Sequence, residues 1–213
     1  MSAHRKTLVL GLAALVLAVA ATTGVTLGAF SSTTNNAGDS FTAAATFCPS
    51  TGSQTVTASE DSNTQEDNPN SNHGSNNSLW VKSDNSKVRR SYVKFPLPAI
   101  PGGCTVTSAV LRLYVRTGPQ PRTLAVYRAG AAWTEAGITW NNQPPAVGTA
   151  VSANYTAPGW LQWTVTNHVN ALYAGSDFGL TVQDANEGVG TDHEDINSTE
   201  AGSNHPELTV TWG

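Results

Sequence analysis

Two carboxylates stand inside the stretches of this chain richest in aromatic and amide side chains. Glu135 lies in W-T-E-A-G-I-T-W-N-N-Q-P, from Trp133 to Pro144, and Glu200 in S-T-E-A-G-S-N-H-P, from Ser198 to Pro206. Carboxyl groups on either side of a glycosidic bond hydrolyse it, one as acid and the other as base or nucleophile. The surroundings favour a quieter reading, in which Glu135 accepts backbone N–H groups in its Trp-rich turn and Glu200 anchors the last loop. No H-E-x-x-H, G-x-S-x-G, P-loop or dinucleotide fingerprint occurs anywhere. No catalytic residue is therefore assigned, and the chain is not expected to be an enzyme.

Aromatic side chains carry the second kind of chemistry. Trp80, Trp133, Trp140, Trp160, Trp163 and Trp212, with Tyr92, Tyr114 and Tyr127, include enough rigid rings to build a platform for the apolar face of a sugar. Most belong in a core, as Trp212 shows by falling in phase with Leu208 and Val210. Trp140, Trp160, Tyr114 and Tyr127 are the candidates for a ligand-binding surface.

Metal chemistry is confined to oxygen donors. His73, His168, His193 and His205 lack the spacing of a zinc site. Asp184, Asn186, Glu187, Asp192, Glu194 and Asp195 crowd one loop, and Asp61, Asn63, Asp67 and Asn70 another, which is the donor type calcium takes. Gln65 and Glu66 break the EF-hand pattern in the second. A structural calcium on Asp184, Asn186, Glu187 and Asp192 stands against the alternative of a solvated acidic loop, and no other cofactor is expected. Cys48 and Cys104 are the two cysteines. They are expected to pair in an oxidising compartment, against the alternative of two buried thiols.

These residues need elements to position them. Period-two alternation recurs at Gln54–Ala58, Ser78–Lys82, Ser91–Phe95, Thr105–Arg116, Arg122–Arg128, Gly159–Val165, Phe178–Gln183 and Glu207–Trp212, placing one set of side chains inward. In the longest, Leu111, Leu113 and Val115 face the core while Arg112, Tyr114 and Arg116 face out. Short strands punctuated by Gly, Pro, Asn and Ser predict an all-β fold, an antiparallel β-sandwich of jelly-roll type. One short helix interrupts it, with Val165, Val169, Leu172 and Tyr173 on a single face, Thr164 or Thr166 as cap and Gly175 as stop. Glu60 to Asn77 contains no large apolar side chain and reads as a long loop, mobile or organised by ligands.

The N-terminus supplies an address. Arg5 and Lys6 precede the apolar run Leu8 to Ala21, which at about 14 residues is short for a membrane span and suits an export signal. Residues 1–29 are read as that signal, 30–47 as a flexible leader and 48–213 as one domain. Without residues 1–29 the chain keeps 9 of its 11 basic residues and all 15 acids, a net charge of −6 with histidine neutral. Lys87, Arg89 and Arg90 form the lone basic cluster, so a nucleic-acid partner is not expected. Nor is a membrane, once the signal is removed.

Two resemblances add to this. Gly28 to Ala43, G-A-F-S-S-T-T-N-N-A-G-D-S-F-T-A, resembles the signal region of SipW-type peptidase substrates, through Phe30, Ser31, Phe41 and Ala43. N-P-N-S-N-H-G with S-L-W-V-K (Asn68 to Lys82), R-R-S-Y-V-K-F (Arg89 to Phe95), I-P-G-G-C-T-V-T-S-A-V-L-R-L-Y (Ile100 to Tyr114), the Trp133–Pro144 block and the segment from Ser198 to Trp212 resemble the DNRLRE domain, which overlaps carbohydrate-binding module family 96. The resemblance implies a secreted, non-catalytic β-sandwich that binds polysaccharide or a cell-envelope glycan, extracellular or attached to the cell surface. The rival expectation is a structural surface or biofilm-matrix protein without a sugar ligand. Where the family often has Ser-Arg-Glu this chain has Ser198-Thr199-Glu200, which weakens any anion-binding role.

Overall fold

The computed structural model describes residues 47–118, 121–190 and 193–213. The segment read as an export signal, the expected leader up to Thr46, and Asp192 lie outside the described residues. Eleven antiparallel strands form one continuous sheet that curls around its own core. They are β1 (Gly52–Thr57), β2 (Glu60–Gln65), β3 (Ser78–Lys82), β4 (Arg89–Lys94), β5 (Val106–Thr117), β6 (Arg122–Ala129), β7 (Ala146–Tyr155), β8 (Gly159–Thr164), β9 (Leu180–Asp184), β10 (His193–Asn197) and β11 (Glu207–Trp212). The hydrogen-bonded order is β1-β11-β5-β10-β3-β4-β9-β6-β7, with β2 added to β4 and β8 to β5. The fold is all-β and sandwich-like, as the alternation predicts.

The strand pattern decides the layers. Ala109, Leu111, Leu113 and Val115 of β5 are fully buried, and Leu124, Val126, Leu180, Val182, Leu208 and Val210 meet them in one core. Arg112, Tyr114 and Arg116 point out between them. The single described α-helix, α1 (Thr166–Ala174), presses Val169 and Leu172 into that core. Its cap residue is Val165, and the Thr166 hydroxyl accepts the Ala109 N–H at 3.0 Å. Cys48 and Cys104 form the expected disulfide, tying the start of the domain to the turn before β5. In the chain-entropy account such a loop is worth roughly 4 kcal/mol.

The stretch Glu60 to Asn77 departs from expectation. Its first six residues are β2, and Asp61, Ser62, Asn63, Thr64 and Gln65 are all buried. A polar strand survives burial only when its side chains find partners. Asn63 Nδ2 donates to the Ser78 carbonyl at 3.3 Å, Gln65 Nε2 to Asn63 Oδ1 at 3.0 Å, and Thr64 Oγ1 to Gln143 Oε1 at 2.9 Å. The rest of the stretch is a loop, pinned from outside. Asn72 Nδ2 donates to the Glu135 and Ile138 carbonyls at 2.6 and 2.8 Å, and Asn141 Nδ2 to Asn70 Oδ1 at 2.8 Å. Gly74 allows the close approach, because a Cβ there would stand 2.5 Å from the Glu135 carbonyl oxygen.

Candidate functional site

The Trp-rich block is mostly a seal. Residues 130–145 cover the outer face of β4, where Tyr92, Ala129, Trp133 and Ile138 make a second small core joined by Phe178. Trp133 Nε1 donates to the Phe178 carbonyl at 2.7 Å, and the Tyr92 hydroxyl lies 3.0 Å from both Gln143 Oε1 and the Pro144 carbonyl. Burial pushes the Tyr92 phenol up to about 12. Trp140 stays outside this core, its ring beneath Arg90 at 5.0 Å, and Arg90 forks onto Glu187 at 2.8 and 2.7 Å. Tyr127 is half-buried on β6, in register with Thr181 of β9, which in turn faces Tyr92.

Trp160 and Tyr114 come together on the other half of the sheet. They are direct cross-strand partners on β8 and β5, with ring centroids 5.5 Å apart and planes at 83°. That is an edge-to-face pair rather than a flat platform. Arg112 lies 4.4 Å over the Trp160 ring and pairs with Glu207 at 3.2 Å. Farther along the same outer face, Arg116 pairs with Asp195 at 2.6 Å, and Trp80 carries Arg89 over its ring at 4.3 Å. Each of these arginines has a carboxylate partner, so the face has little net field.

Beside Trp80 the surface sinks into a depression of about 410 Å³ lined by Ser75, Asn76, Asn77, Ser78, Trp80 and Glu200. Amides, hydroxyls and a carboxylate beside the indole ring are a hydrogen-bonding set suited to sugar hydroxyls. In the sequence Trp80 stands as one ring among nine candidates, with no feature of its strand alone that favours it. The S-N-N-S-L-W run, Ser75 to Trp80, was the available signal, since amide residues lead directly into an indole on a strand.

The acidic residues separate into two kinds. Asp184 is buried and pairs with Arg122, whose Nε stands 2.9 Å from Asp184 Oδ2, while Asp184 Oδ1 accepts the Asn186 N–H at 2.7 Å. Asn186 offers its carbonyl to Ser83 Oγ at 2.6 Å, and Glu187 is taken by Arg90. Glu135 and Glu200, by contrast, meet each other and Asp61, with one carboxylate oxygen from each within 4.8 Å of the others. Glu135 Oε1 accepts the Asp61 N–H at 3.0 Å, so it does bond a backbone amide. Desolvation, with Glu200 and Glu135 beside it, lifts the Asp61 carboxyl to about 7 against the Thr199 N–H that favours its charge.

No curated protein matches the chain closely enough to count as a relative. Residues 52–212, from the first residue of β1 to the last of β11, match the family model described as carbohydrate-binding module family 96, and the chain belongs to that family.

Proposed function

We propose that this protein is an exported, non-catalytic module that binds a polysaccharide or cell-envelope glycan on the outer face carrying Trp80, Tyr114 and Trp160. Family membership over residues 52–212 is the observation that carries the reading. The disulfide accords with an oxidising destination, and among the described residues no helix is long and apolar enough to cross a membrane. Strands lie about 4.8 Å apart, so the steps from β8 through β5 and β10 to β3 spread the rings over roughly 14 Å. That length suits an extended chain of sugars, with Trp160 stacking at one end and the amide-lined depression holding hydroxyls at the other. The arginines, each held by a carboxylate, orient the rings more than they attract a polyanion.

A glycan array on the exported chain tests this reading. Specific binding that is lost in Trp80→Ala and Trp160→Ala, with thermal unfolding still cooperative, supports it. Trp140 and Tyr127 form a second candidate surface on the covered half, and loss in Trp140→Ala alone moves the site there. Absence of binding to every glycan, together with concentration-dependent self-assembly, favours a structural matrix protein instead.

A further inference from the structure

We propose that Asp61, Glu135 and Glu200 form a binding site for one calcium ion, which clamps β2, the Trp-rich segment and the β10–β11 loop together. The three residues are 74 and 65 positions apart in sequence, yet one oxygen of each falls within 4.8 Å of the other two. A point equidistant from three oxygens no more than 4.8 Å apart lies at most ~2.8 Å from each, and calcium–oxygen distances are about 2.3–2.6 Å. Glu200, the exposed member of the three, is free to adjust to that distance. Magnesium needs about 2.0–2.1 Å in near-ideal octahedral geometry and fits this opening less well. With no histidine or cysteine in the group, the donor set is hard oxygen alone.

The second observation concerns Asp61 itself. It is 1 % exposed, and its Oδ2 accepts the Thr199 N–H at 2.7 Å. Its Oδ1 is buried and accepts no hydrogen bond among the described residues. A buried carboxylate oxygen left bare beside two more carboxylates is costly unless a cation takes it. No lysine or arginine does so: the ion pairs among the described residues use Asp67, Asp84, Glu60, Glu187, Glu207, Asp195 and Asp184, and none includes a member of this trio. The surroundings hold the ligands in place. The Glu135 backbone N–H donates to Glu60 Oε2 at 3.0 Å, Asn72 holds the Glu135 carbonyl, and Thr199 Oγ1 donates to Glu200 Oε1 at 3.1 Å.

Calorimetric titration of the chelator-treated protein with calcium chloride, in mildly alkaline buffer, tests the site together with thermal unfolding. The expected result is one calcium per chain and a melting temperature raised by saturating calcium. Glu200→Gln, at an exposed position that leaves folding intact, should weaken binding by about tenfold or more, since calcium affinity follows ligand charge. Asp61→Asn should lose the calcium-induced rise, while its metal-free melting temperature equals or exceeds that of the parent because a buried charge among like charges is gone. Asp184→Asn should bind as the parent does. The proposal is overturned if calcium up to ~10 mM, above the range of extracellular modules, gives neither heat nor a melting shift. Binding that survives Asp61→Asn and Glu200→Gln but is lost in Asp184→Asn overturns it too, placing the ion in the acidic loop.

Discussion

The two outer faces of the curled sheet are built from the same residue types and come to opposite ends. Around β4, β6 and β9 the outward Tyr92 is fully buried, because residues 130–145 fold across it and add Trp133 and Ile138. Around β5, β8, β10 and β3 the outward Tyr114, Trp160 and Trp80 stay partly exposed, with Arg112 over Trp160, Arg89 over Trp80 and His193 at the Trp80 edge. In the first region aromatic rings are spent on stability. In the second they stand where a ligand can reach them, and the lesson is that an aromatic-rich motif marks packing as readily as binding.

On that contrast, the largest effect belongs to the covered face. Trp133→Ala removes a buried indole and its hydrogen bond to Phe178, and should destabilise by about 3–5 kcal/mol. Denaturant unfolding reads this directly as a lower midpoint. A loss of under ~1 kcal/mol would mean that the segment is a loosely held strap rather than a second core.

Tyr92→Phe comes next and sharpens the comparison. It deletes a hydroxyl shared by Gln143 and Pro144, leaving the Pro144 carbonyl without that donor, a cost of about 1–2 kcal/mol at neutral pH. The pH dependence has a definite sign. The folded phenol is held up to about 12 while the unfolded one sits near 10, so between these values the unfolded state loses the proton first. The stability contributed by Tyr92 is complete below pH 10 and falls as pH rises through about 12, by up to ~1.4 kcal/mol per pH unit. Unfolding measured across that window should be steeper for the parent than for Tyr92→Phe, and parallel slopes would show that Tyr92 reaches solvent.

Much of the architecture was readable because it rests on alternation. Glu207–Trp212 and Ser78–Lys82 are strands with the expected bounds, and β5 buries the residues its period places inward. β2 was not readable, since E-D-S-N-T-Q has no apolar member and its burial depends on partners at Ser78 and Gln143. β7 escaped for a related reason: Ala, Gly, Ser and Thr fill most of it, and only Val151, Ala153 and Tyr155 turn toward the core. His193 to Asp195, the end of the expected acidic loop, begin β10, which buries Glu194 and Ile196. At the site, Trp160 and Tyr114 were legible as outward residues, whereas their contact needed the β5–β8 register. The carboxylates show the limit most plainly. Acids close in sequence, such as Asp184 and Glu187, are paired with Arg122 and Arg90, while the three that converge come from distant segments.

The smallest effect belongs to the open face. Trp160→Ala removes a half-exposed ring, its edge-to-face contact with Tyr114 and its cation–π contact with Arg112, exposed interactions worth about 1 kcal/mol or less in stability. The same substitution should abolish sugar binding, so stability and binding respond in opposite proportion on the two faces. Ionic strength separates stacking from charge. Because Arg112 and Arg116 are each paired with a carboxylate, affinity for a glycan should stay within about twofold as salt rises toward ~1 M, where the screening length shrinks to about 3 Å. A steep fall in affinity with salt would mean that these arginines leave Glu207 and Asp195 to grip an acidic sugar. The open face would then be an anion-binding surface held closed by its own carboxylates.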